Sequence, residues 1–253
     1  MAAYDRVTVE IAGGIATVTL DRPDKLNAFD RAMCDELVEA LRMVVASEQV
    51  RVLILTGSGR AFCAGADLNV LAEDGAALVA AGQTLALLIR GAPQPVLAAV
   101  NGPAAGGGAN LALACDYRLA SDRASIGQVF HKLGLAPDWG GTFFLPRLAG
   151  ISAALELVWS ARMVPAEEAR ALGLFDRVVP QDALLTEARV LAEAWAAQPP
   201  LAVRRAKEAL YRSEGATLAE MLDHEIAMQN ELFATPEARA RIGQSPSLRT
   251  RSR

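Results

Sequence analysis

Two loops rich in glycine and alanine are the segments of the chain best suited to bind a polarised oxygen atom. They cover residues 57–68 and 101–111, and each follows a predicted buried strand and precedes a predicted helix. Small side chains leave backbone N–H groups unobstructed near a helix N-terminus, and such donors favour an oxyanion. One loop of this kind is commonly only structural. Two donor loops could hold one oxyanion together, with about 3–4 kcal/mol per donor.

Other binding motifs are not found in the sequence. The chain contains no GxxxxGK[ST] sequence, and the glycine triple at residues 106–108 lacks GxGxxG spacing. The three cysteines, Cys34, Cys63 and Cys115, form no CxxC pair or Cys/His cluster. We therefore expect neither a metal site nor a disulfide framework, but buried thiols in a reducing cytosol.

A carboxyl group that could move protons is present at Asp138, in the sequence Pro-Asp-Trp-Gly-Gly of residues 137–141. Aspartate after proline and before glycine is also a common turn residue, so the residue type leaves both roles open. Apolar neighbours would raise the pKa of this carboxyl and suit it to proton transfer. The two histidines are His131, which we expect packed or at the surface, and His224, which we expect to face solvent.

Alternating strands and helices must position these residues. The predicted strands cover residues 7–11, 15–20, 52–56, 95–100 and 117–120, and the first two form a hairpin. The predicted helices cover residues 31–44, with Asp30 as N-cap, then residues 75–90 and 110–114. This alternation implies an α/β fold with parallel strands and crossover helices.

The last part of the chain is predicted to be helical only. Apolar stripes indicate helices over residues 183–196, 202–212 and 218–233. We therefore expect a core over residues 1–195 and a C-terminal helical region over residues 196–253. The final segment, residues 239–253, has several arginines and no acidic residue, which predicts a frayed, solvated tail.

The composition excludes several classes of protein. With 253 residues, 52% hydrophobic and 21% charged, the chain can bury a large core and is not disordered. A net charge of -4 gives no general attraction to nucleic acid or anionic membranes. The N-terminus lacks the apolar segment of a signal peptide, and the apolar stretch at residues 76–89 is too short to span a bilayer. We expect a soluble, cytoplasmic protein without nucleic-acid or membrane partners.

Several ordered motifs resemble the crotonase superfamily, the enoyl-CoA hydratase/isomerase family. They are the two small-residue loops together with residues 21–28, 134–142, 145–150 and 166–174, and the resemblance extends from about residue 7 to residue 233. It implies a spiral of ββα turns followed by C-terminal helices that serve in trimerisation and cover the active site. It also implies trimers or dimers of trimers, and acyl-CoA thioesters as substrates. Coenzyme A would enter as part of the substrate, and no separate cofactor is expected.

The resemblance also implies roles for individual residues. The backbone N–H groups of Ala66 and Gly107 would form the oxyanion hole for the thioester carbonyl. The positions that match the family's contacts to the CoA adenosine and pantetheine are Lys25, Leu26, Ala64, Asp67 and Leu68. Asp67 is expected to cap a helix as well, and the alternative for Lys25 is a solvated surface lysine.

The proton-transfer positions distinguish the possible reactions. Hydratases of this family activate water with two glutamates, at positions where this chain has Asn110 and Phe130. Neither side chain can act as a general base, so efficient hydration is not expected, and Phe130 would contact the substrate instead. Isomerases that resemble this chain, including the ring-epoxide phenylacetyl-CoA isomerase type, carry an acid in the turn that holds Asp138. We therefore expect Asp138 to shift a double bond in an enoyl-CoA by moving one proton.

Alternatives remain open at this point. They are a hydratase of low activity, a hydrolase resembling aryl-CoA dehalogenases with His131 activating water, and a non-catalytic family member that binds acyl-CoA or RNA. The C-terminus also departs from the family, because residues 242–247 lack the usual Phe and Lys-Arg pair near the adenine of a neighbouring subunit. Lys207 is a candidate cation for that contact, or a solvated lysine.

Overall fold

The computed structural model describes residues 4–244, and the described chain contains nine strands and ten α-helices. The strands are Val7–Ala12 (β1), Ile15–Leu20 (β2), Val52–Gly57 (β3), Val96–Val100 (β4), Ala104–Ala105 (β5), Tyr117–Ser121 (β6), Ser125–Gly127 (β7), Met163–Pro165 (β8) and Arg177–Val179 (β9). The helices are Arg31–Ala46 (α1), Leu68–Gly91 (α2), Gly107–Ala114 (α3), Gly141–Ala149 (α4), Ile151–Ser160 (α5), Ala166–Ala171 (α6), Leu184–Ala196 (α7), Pro200–Arg212 (α8), Leu218–Ala234 (α9) and Pro236–Gly243 (α10).

The larger sheet has six strands in the order β1-β2-β3-β4-β6-β9. The first pair is antiparallel, and its turn residues Gly13 and Gly14 both have positive φ, which matches the twist of a two-residue hairpin. All other pairs are parallel, as the alternation of strands and helices predicted. Every residue of β3 and β4 is buried, as is typical of central strands in a parallel sheet.

A second sheet of three short strands, in the order β5-β7-β8, supports the second small-residue loop. The strands β5 and β7 are parallel, and the N–H of Gly106 extends their pairing by donating to the Gly127 carbonyl at 2.9 Å. These strands were not predicted from the sequence, because two or three residues are too few to show a hydrophobic period.

Helix α1 follows the sequence prediction closely. The Asp30 carboxylate accepts a hydrogen bond from the Met33 N–H at 2.9 Å, so it caps the helix as expected. The apolar positions Met33, Leu37, Leu41 and Val44 are all buried. They recur at helical spacing and therefore lie on one face of the helix.

Helix α2 is longer than predicted, with 24 residues from Leu68 to Gly91. By length and composition it is therefore long and apolar enough to cross a membrane, contrary to the expectation that its apolar stretch is too short. A core helix can satisfy the same criteria. This helix packs against α1 and α3, buries Leu78, Leu85 and Ile89, and is kinked at Asp74, where φ is -146°.

The described chain divides into two compact units, with the boundary between Trp195 and Ala196. The first unit contains both sheets, and all three cysteines are free and buried within it. In the second unit, a capping box between Thr217 and Glu220 begins α9, and an ion pair between Arg205 and Glu231 at 2.7 Å joins α8 to α9.

The beginning of the predicted frayed tail is helical instead. Helix α10 includes residues 239–243, and the Thr235 hydroxyl caps it by accepting from the Ala238 N–H at 3.2 Å. The prediction of a frayed chain was therefore wrong for these residues, because a side-chain cap stabilises the helix N-terminus, whereas their predicted exposure to solvent is confirmed. Residues 245–253 of the predicted tail lie outside the described residues.

Candidate active site

Both small-residue loops open onto one cavity of about 640 Å³, including the part that is open to solvent. Its walls come from both loops, from α2, from the 3-10 turn Val129–Leu133, and from the turn that holds Asp138. The lining residues are Phe29, Ala64, Gly65, Ala66, Leu68, Leu71, Leu78, Val79, Gly106, Gly107, Val129, Phe130, Leu133, Leu135, Asp138 and Trp139. Among the described residues that line the cavity, Asp138 has the only titratable side chain.

The first candidate donor is the backbone N–H of Ala66. Phe29 and Ala66 form a parallel bridge, in which the Phe29 N–H donates to Gly65 at 2.7 Å and the Asp67 N–H donates to Phe29 at 2.8 Å. Successive amides in an extended chain point in opposite directions. The Ala66 N–H therefore points away from Phe29, and within residues 4–244 it donates to no protein acceptor.

The second candidate donor is the N–H of Gly107, the first residue of α3. This N–H has no acceptor within the described chain, as expected for the first turn of a helix. A Cβ on Gly65 would lie 2.8 Å from the Ala105 carbonyl oxygen and 3.7 Å from the Gly107 nitrogen. The two loops are therefore in close contact, and only glycine fits at position 65, where φ is also +94°.

Asp138 is both a turn residue and a carboxyl group in apolar surroundings. Its backbone carbonyl accepts hydrogen bonds from the Gly141 N–H at 2.7 Å and from the Asn110 amide at 2.8 Å. Its Oδ1 atom is buried without a hydrogen-bond partner in the described chain. Burial raises the pKa of this carboxyl from 3.8 to about 6. The turn role and the proton-transfer role are therefore compatible.

Trp139 connects this turn to α2. Its indole N–H donates to the Leu78 carbonyl at 3.1 Å, and its ring centre lies 4.5 Å from that of Phe29. A Cβ at Gly82 would overlap the indole, so the ring packs directly against the helix backbone. This contact was not predicted from the sequence. The available signal was a glycine in the middle of a helical stretch, which can indicate close packing.

The two positions that correspond to the hydratase glutamates have different environments. Phe130 lines the cavity with 8% of its surface exposed. Asn110 is fully buried and does not line the cavity; its amide donates to Asp138 and accepts from Gln128 Nε2 at 2.7 Å. His131 is exposed and is not among the lining residues, and His224 on α9 is partly exposed.

The residues expected near CoA are divided between the cavity and its surroundings. Ala64 and Leu68 line the cavity. Lys25 is exposed at the end of a 3-10 turn, and the carbonyl of Leu26 accepts from the Ala64 N–H at 2.9 Å, so these residues adjoin the first loop. Asp67 caps α2 as expected, by accepting from the Asn69 N–H at 3.2 Å.

Two further contacts bear on cations and metals. Arg22 pairs with Asp67 at 3.4 Å and with Asp30 at 3.1 Å, and neither contact was predicted from the sequence. Lys207 lies on α8 with its Nζ 6.0 Å from the centre of the Tyr211 ring. Within residues 4–244, no group of three His, Cys, Asp or Glu side chains is arranged to hold a metal ion.

Known proteins resemble the chain over nearly its whole length. The model of the family described as enoyl-CoA hydratase/isomerase matches residues 10–245. A probable enoyl-CoA hydratase from Rhodobacter capsulatus is 40% identical over 241 residues, which cover 94% of this chain and 93% of the relative. A 1,2-epoxyphenylacetyl-CoA isomerase from Escherichia coli is 39% identical, with 94% of each chain covered. The crystal structure of an enoyl-CoA hydratase from Bacillus anthracis has a TM-score of 0.89 at 37% identity, with 92% of each chain covered.

The chain belongs to the enoyl-CoA hydratase/isomerase family of the crotonase superfamily. The resemblance noted from the sequence motifs and the predicted α/β crotonase fold are both confirmed. The protein is therefore an enzyme of this family, and an acyl-CoA thioester substrate fits it. Relatives of similar identity are named as a hydratase and as an isomerase, so membership of the family does not select the reaction.

Proposed function

We propose that the protein is an enoyl-CoA isomerase in which Asp138 moves one proton along the acyl chain. The observation that carries this proposal is that Asp138 has the only titratable side chain among the described residues that line the cavity. A double-bond shift adds no water and needs one group that accepts and then returns a proton. The cavity supplies one such group, in a wall that is otherwise apolar.

The proposed reaction begins with a 3-enoyl-CoA whose thioester oxygen accepts hydrogen bonds from the Ala66 and Gly107 N–H groups. These donors stabilise the negative charge that develops on the oxygen. The Asp138 carboxylate removes a proton from C2, and the electron pair of that C–H bond passes into a dienolate. The protonated Asp138 then returns a proton to C4, which leaves the double bond between C2 and C3. No redox step or additional cofactor is required.

Hydration fits the site less well. A hydratase must activate a water molecule and also protonate the α-carbon, and the family uses two glutamates for these steps. Asn110 is buried outside the cavity and bonded to Asp138 and Gln128, while Phe130 offers no proton. The exposed position of His131 similarly gives no support to a dehalogenase-like hydrolysis, which requires a histidine near the reacting atoms.

We propose two kinds of acyl group as candidates for the substrate. A relative with 39% identity is named a 1,2-epoxyphenylacetyl-CoA isomerase. An aryl epoxide thioester therefore belongs beside linear 3-enoyl thioesters among the candidate substrates. We propose that the CoA moiety extends along Lys25, Leu26, Ala64, Asp67 and Leu68.

We propose a homotrimer or a dimer of trimers, supported by exposed apolar side chains on α9, where Leu218 is 75% and Ile226 is 62% exposed. Free, buried cysteines are compatible with a cytoplasmic location.

The substitution Asp138→Asn tests the proposed role of the carboxyl group. It preserves the size of the side chain and removes its ability to accept a proton from C2. We expect kcat for a 3-enoyl-CoA to fall at least 1,000-fold, a change of about 4 kcal/mol in activation free energy. The dissociation constant for a saturated acyl-CoA should change less than threefold, as measured by calorimetry. Unchanged turnover in this variant would show that Asp138 is not the proton carrier.

A further inference from the structure

We propose that Asn110 is a positioning residue that holds the turn containing Asp138, so that the carboxyl group stays in the apolar wall of the cavity. This inference rests on the proposed function for its catalytic meaning. Its physical content can be tested without a substrate. Asn110 lies outside the cavity and does not touch the reacting carboxyl group. It acts on that group only through the backbone of the turn.

The amide of Asn110 connects two segments that are distant in sequence. Its Nδ2 donates to the Asp138 carbonyl at 2.8 Å, and its Oδ1 accepts from Gln128 Nε2 at 2.7 Å. Asn110 is completely buried and Gln128 is 2% exposed. The bond between Asn110 and Gln128 is buried, so breaking it is costly, because both groups would then lack a partner and access to water.

The shape of the turn depends on the same amide. A Cβ on Gly141 would overlap the Asn110 side chain, so glycine at this position makes room for the hydrogen bond. The Asp138 carbonyl accepts a second hydrogen bond, from the Gly141 N–H at 2.7 Å. The Asn110 amide and the Gly141 N–H therefore both hold the backbone carbonyl of Asp138, the residue that carries the carboxyl group.

An amide suits this position in a way that a carboxylate does not. It donates to the Asp138 carbonyl, which can only accept, and at the same time accepts from the Gln128 amide. An ionised carboxylate would direct lone pairs at the Asp138 carbonyl and repel it. At position 110, where hydratases carry a catalytic glutamate, this chain therefore has an amide that supports the turn containing Asp138. The two arrangements exclude each other at this residue.

The test uses carboxyl NMR of protein labelled with ¹³C at aspartate Cγ, with the Asp138 signal assigned by its loss in Asp138→Asn. In the wild-type protein the signal should titrate near pH 6. In Asn110→Leu we expect the midpoint to fall by at least one pH unit, because a released turn exposes the carboxyl group to water. We also expect kcat to fall at least tenfold while KM changes less than threefold.

The control is Thr56→Val, which removes another buried hydrogen bond, from Thr56 to the Ala99 carbonyl at 2.7 Å. This control should lower the melting temperature while leaving the Asp138 titration and kcat unchanged. If Asn110→Leu does not fold, Asn110→Ala is expected to shift the midpoint in the same direction. An Asp138 midpoint that stays at the wild-type value in a folded Asn110 variant would overturn the inference.

The outcomes separate the two proposals. If Asp138→Asn retains full turnover, the proposed reaction fails, while the titration still decides whether Asn110 positions the turn. If Asp138→Asn is inactive and the folded Asn110 variant titrates and turns over as the wild type does, the inference fails and the proposed reaction stands.

Discussion

Asp138 combines two roles because its backbone and its side chain have different surroundings. The carbonyl is hydrogen-bonded to Gly141 and Asn110, as in an ordinary turn, while the carboxyl group faces an apolar cavity. Desolvation is the largest cause of its raised pKa, and a hydrogen bond from the backbone of Asp138 itself opposes part of the shift. A base with a pKa near 6 is ionised at neutral pH and still basic enough to accept a carbon-bound proton.

The pH dependence of isomerisation follows from this pKa. Asp138 must be ionised to remove the C2 proton, so kcat/KM should be half-maximal near pH 6 and fall about tenfold per unit below it. A profile of kcat/KM between pH 4.5 and 8.5 measures this decrease at low pH. An activity that stays constant down to pH 4.5 would mean that a different group accepts the proton.

The raised pKa of Asp138 also makes the free energy of unfolding depend on pH. The folded-state pKa lies above the unfolded value of 3.8, so the folded protein binds the proton more tightly. The stabilisation from that proton is complete below pH 3.8 and is lost as the pH rises through about 6. The substitution Asp138→Asn removes the titrating carboxyl group, so the variant does not lose this stabilisation as the pH rises. Its free energy of unfolding relative to wild type should therefore rise by about 1–2 kcal/mol between pH 4.5 and pH 8, after allowance for partial exposure.

Denaturant unfolding of both proteins at the two pH values measures this difference. A constant difference between the variant and the wild type would show that the Asp138 pKa is not raised in the folded state.

At the scale of elements, α2 and the Asp138 turn are joined through Trp139. The indole packs against the backbone at Gly82 and donates to Leu78, and both Trp139 and Leu78 line the cavity. A change in the helix that displaces the indole should therefore also alter the turn that carries Asp138. The helix is part of the active-site wall as well as of the core.

The substitution Gly82→Ala tests this connection. The added Cβ would overlap the indole ring, so we expect a loss of about 1–3 kcal/mol in stability from overpacking. We also expect kcat to fall at least tenfold. The matched control is Gly91→Ala at the end of the same helix, where a Cβ meets no atom within 4 Å, and it should leave both quantities near wild type. Equal behaviour of the two variants in thermal unfolding and turnover would contradict the proposed packing role.

At the scale of the whole molecule, the strands and helices that could be predicted are those marked by a pattern within their own residues. The strands β3 and β4 are continuous apolar runs, and α1 has both a cap and an apolar stripe. The short strands of the second sheet have no such signal. Trp139 and Asn110 act through contacts with residues distant in the chain, which hydrophobic periodicity does not encode. Asp138 was identified because a family motif marked it.

Assembly is the prediction that belongs to the whole molecule. We expect light scattering to give three or six times the chain mass of 26.7 kDa. Ile226→Asp, in the middle of the exposed apolar face of α9, should reduce this mass because a charge is costly in an apolar interface. Asp223→Ser on the same helix is the control and should not. A wild-type mass equal to one chain would contradict the proposed oligomer.

The most direct test of the central claim follows matched 2-enoyl-CoA and 3-enoyl-CoA substrates by NMR in deuterated water. The proposed mechanism predicts that the 3-enoyl thioester is converted to the conjugated 2-enoyl thioester with no hydroxyacyl product. Deuterium should enter at C4 in those turnovers in which the protonated Asp138 exchanges with the solvent before it returns the proton. The mechanism also predicts that Asp138→Asn does not support this conversion. Rapid hydration of the 2-enoyl thioester without migration of the double bond would show that the protein is a hydratase and would contradict the one-carboxylate account.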